Sequence, residues 1–492
     1  MPPAIPFDHT LDWSLIRSIS WTAAAKWSSQ VLTWISTIIV ARLLAPEDYG
    51  VIAMAGAFLG LLALVNEFGL GAAIVMLRNL SHEQITQING LSIILGGAGF
   101  LVAVLAALPL SAFFAASELP WVVVAMGAGL IIASIRSVPC ALLEKELRFK
   151  LLAVLEGGQA FVQAGVVVLL AYVGLKYWAL VWAGLLSSVI ASGIAIMVRP
   201  VKPAWPKLSA LKSAMSLSWY IIGGRLSWYV ASNADVFIAG RVLGQASLGA
   251  YTFGATLASM PMDKITALVN RVTPSFFSSI QNDSAALRRY LLNLTEALAL
   301  VTIPSAVGLS LVADPFVRLV LGEQWEGAIA PLQVLAVYAA IRSVTSLLPP
   351  ILMVTGGARL AMLNGLWAAI VFPCAFYVGS HWGTVGIALA WVIVHPCNLL
   401  PLYWRVFKTI GLTAGPYFNA LRPALAAASV MAALVMAAKL FLPPGWPLFV
   451  TLALEVFIGT AAYVLAIIAL HGRRLRLFVN LVRTGQSELI AT

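Results

Sequence analysis

Residues 27–50 read Trp27-Ser-Ser-Gln-Val-Leu-Thr-Trp-Ile-Ser-Thr-Ile-Ile-Val-Ala-Arg-Leu-Leu-Ala-Pro-Glu-Asp-Tyr-Gly50. An apolar run near 18–41 leads into this stretch and a second, near 51–77, leaves it. Between them lies a short loop carrying a proline, two acids and a glycine. About 20 largely apolar residues are needed to cross the hydrocarbon core of a bilayer. The stretch therefore reads as the tight connection between two spanning helices, with Asp48 as the N-cap of the second.

Outward from this connection the same pattern repeats along the chain. Fourteen apolar runs follow one another from 18–41 to 447–470, with no connection long enough to form a water-soluble domain. The runs are continuous, which favours helices over the alternating strands of a barrel. Composition agrees. Of 492 residues, 61% are hydrophobic and 10% charged, against roughly 45–50% apolar and about 25% charged in soluble domains. A mean hydropathy of +0.95 excludes an ordinary soluble enzyme and a disordered chain. Cys140, Cys374 and Cys397 are far apart in apolar surroundings and read as small apolar residues. They suggest neither a disulfide framework nor a metal site, and no cofactor is expected. The first run has no basic segment before it and no cleavage motif, so it reads as a retained helix and not a signal peptide.

The formal charge of +11 would suggest nucleic acid in a soluble protein, but here it follows from topology. With the N-terminus in the cytoplasm, only Arg42, Lys176, Arg241, Arg318 and Lys439 fall on the far side. Lys26, Arg136, Arg225, Lys264 and Arg342 fall inside spans, and the other twenty of the thirty basic residues face the cytoplasm. That asymmetry predicts an even number of spans with both termini cytoplasmic.

The opening stretch also has an internal echo. Ala41–Gly50 recurs in outline as Gly240-Arg-Val-Leu-Gly-Gln-Ala-Ser-Leu-Gly249, matching Arg42 to Arg241, Leu44 to Leu243 and Gly50 to Gly249 at an offset of 199. Lys26 falls opposite Arg225 at the same offset. The expected fold is an all-α polytopic membrane protein of about 14 transmembrane helices. It comprises an N-lobe over 1–205, a C-lobe over 206–410 and two further helices with a basic tail over 411–492. Parallel six-helix repeats of this kind suit alternating access around a central site.

Three segments carry a family resemblance. The Arg42-Leu-Leu-Ala-Pro-Glu-Asp-Tyr-Gly50 element, Asn66-Glu-Phe-Gly-Leu-Gly-Ala-Ala-Ile74 and Leu142-Leu-Glu-Lys-Glu-Leu-Arg-Phe-Lys150 resemble the Wzx-like oligosaccharide flippases of the MOP superfamily, in particular the WzxC-type branch. The resemblance is clearest over residues 20–160. It implies two six-helix lobes of MOP/MATE type. It also implies export of undecaprenyl-diphosphate-linked oligosaccharide across a bacterial inner membrane for exopolysaccharide, capsule or O-antigen synthesis. The implied partners are the lipid-linked oligosaccharide, membrane lipids, and the polymerase and glycosyltransferases of the same pathway, with no nucleic acid. The resembled group has no agreed catalytic motif, and no enzymatic activity is expected.

Site residues must therefore come from charge inside the membrane, which costs at least ~2.5–3.5 kcal/mol at the bilayer centre and marks a cavity or a partner. Lys26 and Arg225, at matching repeat positions, and Arg342 are the expected contacts to a diphosphate, because guanidinium forks fit phosphate oxygens. Snorkelling to the interface is the plain alternative for Lys26. Glu67, Asp235 and Asp263 are the candidate ion-coupling acids. Helix packing at the neighbouring glycines is the plainer account of Glu67. Leu143, Leu147 and Leu151 read as one face of an interfacial amphipathic elbow. Tryptophans at predicted helix ends, Trp121, Trp382 and Trp446 among them, read as interfacial anchors. Trp228 and Tyr229 read as packing groups or as part of a glycan path.

Two other functions fit the architecture less well. A cation-coupled multidrug exporter of the same superfamily would favour an acidic or apolar cavity. A membrane glycosyltransferase or polymerase would need a domain to hold the sugar, and Glu47-Asp48 sits in too short a loop to serve as its carboxylate pair.

Overall fold

The computed structural model describes residues 30–67, 80–206, 219–441 and 445–484, with isolated positions 71, 74 and 443. Lys26 lies outside them. Glu67 ends a helix, and its side chain also lies outside the description.

Every regular element among the described residues is helical. In chain order they are α1 (Gln30–Leu43), α2 (Pro46–Glu67), α3 (His82–Phe114), α4 (Leu119–Lys145), α5 (Phe149–Tyr172), α6 (Tyr177–Val198) and α7 (Trp219–Ser279). Then come α8 (Ser284–Val320), a 3-10 turn (Glu323–Ala328), α9 (Ile329–Thr345), α10 (Leu348–Val354), α11 (Ala358–Ser380), α12 (Gly383–Ile410), α13 (Ala414–Phe441) and α14 (Leu448–Thr484). Eleven stretches among the described residues are long and apolar enough to cross a membrane, one of them running through α9 and α10. The protein is a multi-pass membrane protein. The expected count of fourteen is not reached by this measure. The described part of α1 covers only Gln30–Leu43, and the two runs expected at 215–239 and 250–271 form one 61-residue helix, α7, interrupted at Gly244.

Large apolar side chains on the outer faces fit a lipid solvent. Leu105 and Leu108 on α3 are 68% and 74% exposed, and Phe457 on α14 is 71% exposed. Such surface would drive aggregation in water. Trp121, Trp382 and Trp446 are exposed at helix ends, as interfacial anchors should be.

Local chemistry sets the helix starts. Ser81 accepts from the Gln84 amide and Gln84 Oε1 accepts from the Ser81 amide, a reciprocal capping box that opens α3; such caps contribute about 1 kcal/mol. The Asp283 carboxylate accepts from Ala286 N at 2.9 Å and opens α8. α2 opens on Pro46, where the missing amide hydrogen is no loss. Asp48 is therefore not its N-cap. It is the third residue of the helix and reaches back to accept from Ala45 N at 3.0 Å, while its other oxygen accepts from Tyr177 N at 3.1 Å.

The elbow after α4 also differs from expectation. The helix stops at Lys145, Leu147 takes a left-handed φ of 57°, and α5 starts at Phe149. Glu146 pairs with Arg199 at 2.9 Å and with Arg148 at 3.4 Å. Because the chain turns here, Leu143 is fully buried while Leu147 is exposed, and they do not share one amphipathic face.

The chain divides into two compact units. One holds the described residues up to Tyr229 together with Gly244–Ala246; the other holds Val230–Leu243 and Ser247 onward. In the first, α3 packs along α4, α5 along α6, and α2 against α4. In the second, α8 packs on α9 and α13, α11 along α12, and α13 along α14. Helix continuity fails at residues 44–45 and at Gly244, the positions that the sequence echo aligns. Gly244 has φ 82° and ψ −179°, a conformation essentially reserved for glycine. Within the first unit a Cβ on Gly50 would run into the Gln245 carbonyl, so that backbone approach requires glycine.

Candidate functional site

Asp235 lies on α7, nine residues before the break at Gly244, and is 6% exposed. A carboxylate buried to this degree must be fully hydrogen-bonded. Tyr251, on the far arm of α7, donates its hydroxyl to Oδ2 at 2.7 Å. Trp391 of α12 donates its indole N–H to the same oxygen at 3.0 Å. Oδ1 accepts from Val236 N at 2.8 Å. Asp235 thus ties the two arms of α7 to each other and to α12.

Aromatic rings close the cage. Tyr338 of α9 and Phe372 and Phe376 of α11 lie with centroids 4.8, 4.9 and 5.0 Å from Trp391. His395, one helical turn beyond Trp391, meets the Tyr338 ring edge-on at 5.4 Å. Asn398 sits a further turn along, 5% exposed, with neither its amide nitrogen nor its oxygen hydrogen-bonded. Aromatic packing holds the indole in one orientation and so fixes the donor that Asp235 receives.

A second polar feature runs between the far arm of α7 and α9. Arg342 donates to Asp263 at 2.5 Å. Thr266 and Ser343 hydroxyls meet at 2.8 Å, and Ser346 donates to Asn270 at 3.4 Å. Residues 263, 266 and 270 recur at helical spacing, as do 342, 343 and 346, so one stripe on each helix makes a continuous seam. Two residues assigned from sequence to different tasks, Arg342 to substrate and Asp263 to an ion, are each other's partner. Asp235 takes its hydrogen bonds from Tyr251, Trp391 and Val236, not from Arg342, which pairs with Asp263. Arg225 is exposed on α7 and makes no described ion pair. Tyr229 donates its hydroxyl to the Ala57 carbonyl at 3.0 Å, which marks it as a packing group. Among the described residues no group of three or more His, Cys, Asp or Glu is placed to hold a metal ion.

Sequence reasoning missed Tyr251 and Trp391. They are neutral, and no charge count points to them. The one available signal was Tyr251 itself, a polar ring just after the echoed Gly249.

The fold is like that of solved membrane transporters. It superposes on the lipid II flippase MurJ in an inward closed conformation with a TM-score of 0.75, at 12% identity over 92% of this chain and 99% of that one. An inward-facing multidrug resistance MATE transporter aligns at a TM-score of 0.62, with 17% identity over 78% of this chain and 96% of that one. The family described as polysaccharide biosynthesis protein matches residues 39–330, and the chain belongs to that family. Relatives include an uncharacterized membrane protein of the cps region of Klebsiella pneumoniae, 25% identical over 82% of this chain and 84% of that protein. The lipopolysaccharide biosynthesis protein WzxC of Escherichia coli is 23% identical over 80% and 81%. The succinoglycan biosynthesis transport protein ExoT of Rhizobium meliloti is 24% identical over 80% of each chain.

Proposed function

We propose that the protein is a flippase that carries undecaprenyl-diphosphate-linked oligosaccharide repeat units across the bacterial inner membrane by alternating access. The product would feed exopolysaccharide, capsule or O-antigen synthesis. The observation that carries this proposal is one chain uniting the polysaccharide biosynthesis family match with a fold like that of a lipid II flippase. Both termini would be cytoplasmic, as the basic-residue asymmetry favours. The polymerase and glycosyltransferases of the pathway are its expected neighbours.

The two six-helix lobes, 1–205 and 206–410, would be parallel repeats, with 411–492 as an appendix. The helix breaks 199 residues apart support that division. Lys26 and Arg225 remain proposed contacts for the diphosphate. Arg342 would reach substrate only after leaving Asp263, so its proposed role is conditional on opening the seam. Asp235 is the proposed coupling residue of the second unit. Both donors to its Oδ2, Tyr251 and Trp391, are side chains, so exchanging them for a cation or proton breaks no helical backbone bond. Glu67 and Asp263 keep a proposed coupling role of the same kind.

A deletion strain tests this function. It should accumulate lipid-linked repeat units in the cytoplasmic leaflet and lose surface glycan, and the intact gene should restore both. Normal glycan with heightened sensitivity to cationic drugs would instead establish the multidrug-exporter reading, which the MATE likeness keeps in play.

A further inference from the structure

Arg136 differs from Arg318, Arg342 and Lys439, three helix cations that each have a carboxylate partner. Arg318 meets Asp314 and Glu326, Arg342 meets Asp263, and Lys439 meets Glu455. Among the described residues Arg136 meets no carboxylate within ion-pair distance. Glu156, just before Gln159 on α5, is exposed and makes no described ion pair with Arg136. The one described hydrogen bond of Arg136 goes from Nη1 to Gln159 Oε1 of α5, at 2.5 Å. Gln159 Nε2 in turn donates to Ser188 Oγ of α6, at 3.3 Å.

The depth of this ladder is decisive. α4 ends and α5 begins on either side of the turn at 146–148, and α6 ends on the same side, where Arg199 pairs with Glu146. At 1.5 Å per residue, Arg136 lies about 14 Å from the end of α4, Gln159 about 15 Å into α5 and Ser188 about 15 Å from the end of α6. The hydrocarbon core is about 30 Å thick, so three polar residues from three helices meet near its middle. A cation kept at that depth with a neutral partner carries an uncompensated cost.

The polarity of the ladder points to what offsets that cost. Arginine has five N–H donors and no acceptor, so the Gln159 carbonyl is forced to face it. The Gln159 amide nitrogen then faces Ser188. What remains unused is almost all donor: four guanidinium N–H groups, one amide N–H and the Ser188 hydroxyl hydrogen. All three side chains are half-buried and not sealed off. A half-open face of donors around a positive charge in a low-dielectric setting is complementary to an oxyanion.

We infer that Arg136, Gln159 and Ser188 form an oxyanion-binding site in the first unit that takes an anionic group of the transported molecule near the membrane centre. The inference rests on the flippase function proposed above. Two sources share this chemistry: the diphosphate of the lipid carrier and the carboxylate of an acidic sugar. The Gln159 and Ser188 groups position and extend the fork, and Arg136 makes the main contact.

Binding by the purified full-length protein in lipid nanodiscs tests the inference, with three probes: sugar-free undecaprenyl diphosphate, undecaprenol, and a lipid-free glucuronate oligosaccharide. Arg136→Gln should weaken one anionic probe at least tenfold and leave undecaprenol unchanged. Arg136→Lys should fall between it and the native protein, because charge is kept and the fork lost. Gln159→Leu and Ser188→Ala should each weaken the same probe by a smaller factor. Loss confined to the diphosphate assigns the site to the lipid head, and loss confined to the oligosaccharide assigns it to the glycan. Unchanged affinity for both anions in Arg136→Gln overturns the inference. If Arg136→Gln fails to fold, Arg136→Lys and Gln159→Leu decide, and unchanged anion binding in both overturns it. Glycan export by the deletion strain is scored separately. Native protein that binds the anion through Arg136 but restores no export leaves the site standing and removes the flippase function. Restored export with anion binding indifferent to Arg136 does the reverse.

Discussion

The breaks at residues 44–45 and at Gly244 occupy the same place in the echoed sequence, yet different chemistry secures each. At the first, Asp48 lies after the break and accepts two backbone amides, Ala45 N and Tyr177 N. At the second, Asp235 lies before the break and accepts two side chains, Tyr251 and Trp391, besides the amide of Val236. Backbone amides cannot leave their carboxylate without moving a helix. The Tyr251 hydroxyl can turn away without moving a helix, and the Trp391 indole can follow once the rings packed on it loosen. The comparison teaches that the first break is stapled and the second latched, and that a moving part is to be sought in the second unit.

The largest test of this difference is Asp235→Ala. It strands the Tyr251 hydroxyl and the Trp391 N–H in a buried cage, and each stranded donor costs about 1–3 kcal/mol. Thermal unfolding in detergent should show a loss of roughly 2–5 kcal/mol on the same basis. An unchanged midpoint would show that the cage is not a latch. Asp48→Ala strands two amides beside solvent-accessible helix ends, and a smaller loss, about 1–3 kcal/mol, is expected by the same assay. A larger loss than for Asp235→Ala would invert the comparison.

Next come the residues at the breaks themselves. Gly244→Ala places a Cβ on a backbone with φ 82° and should cost about 1–3 kcal/mol. The aligned Ala45→Gly, at a position without positive φ, should cost under about 1 kcal/mol. Equal effects would mean that the two breaks have one geometry. The smallest effect belongs to the seam. The Arg342–Asp263 pair is 38% and 58% exposed at its side chains, so a double-mutant cycle with Arg342→Gln and Asp263→Asn should give a coupling of at most about 1 kcal/mol. A coupling several times larger would make the seam a principal clamp.

Much of the fold was legible because a bilayer leaves few choices. Runs of apolar residues become helices, because no other open structure satisfies the backbone there. The aligned break was legible too, through Arg42 with Arg241 and Gly50 with Gly249. The expected N-cap at Asp48 went wrong because Pro46 starts the helix two residues earlier. The elbow went wrong because a left-handed Leu147 ends the periodicity that its leucines suggested. The sites were less legible for a common reason: their partners sit on other helices. Arg342 reads as a free cation until Asp263, 79 positions away, is found beside it. The hydrogen-bond partners of Asp235, Tyr251 and Trp391, lie 16 and 156 positions away. Arg136 was visible as a charge inside an expected span, but Gln159, 23 positions on, carries no charge to draw attention.

The central claim is lipid-linked glycan transport, and reconstitution measures it most directly. Purified protein in liposomes would be given a fluorescent undecaprenyl-diphosphate oligosaccharide, with a membrane-impermeant quencher reporting the outer leaflet. The account predicts protein-dependent movement of the probe between leaflets, slowed by Asp235→Asn and by Arg136→Gln. Movement no faster than in protein-free liposomes, from protein that is folded and inserted, would contradict it.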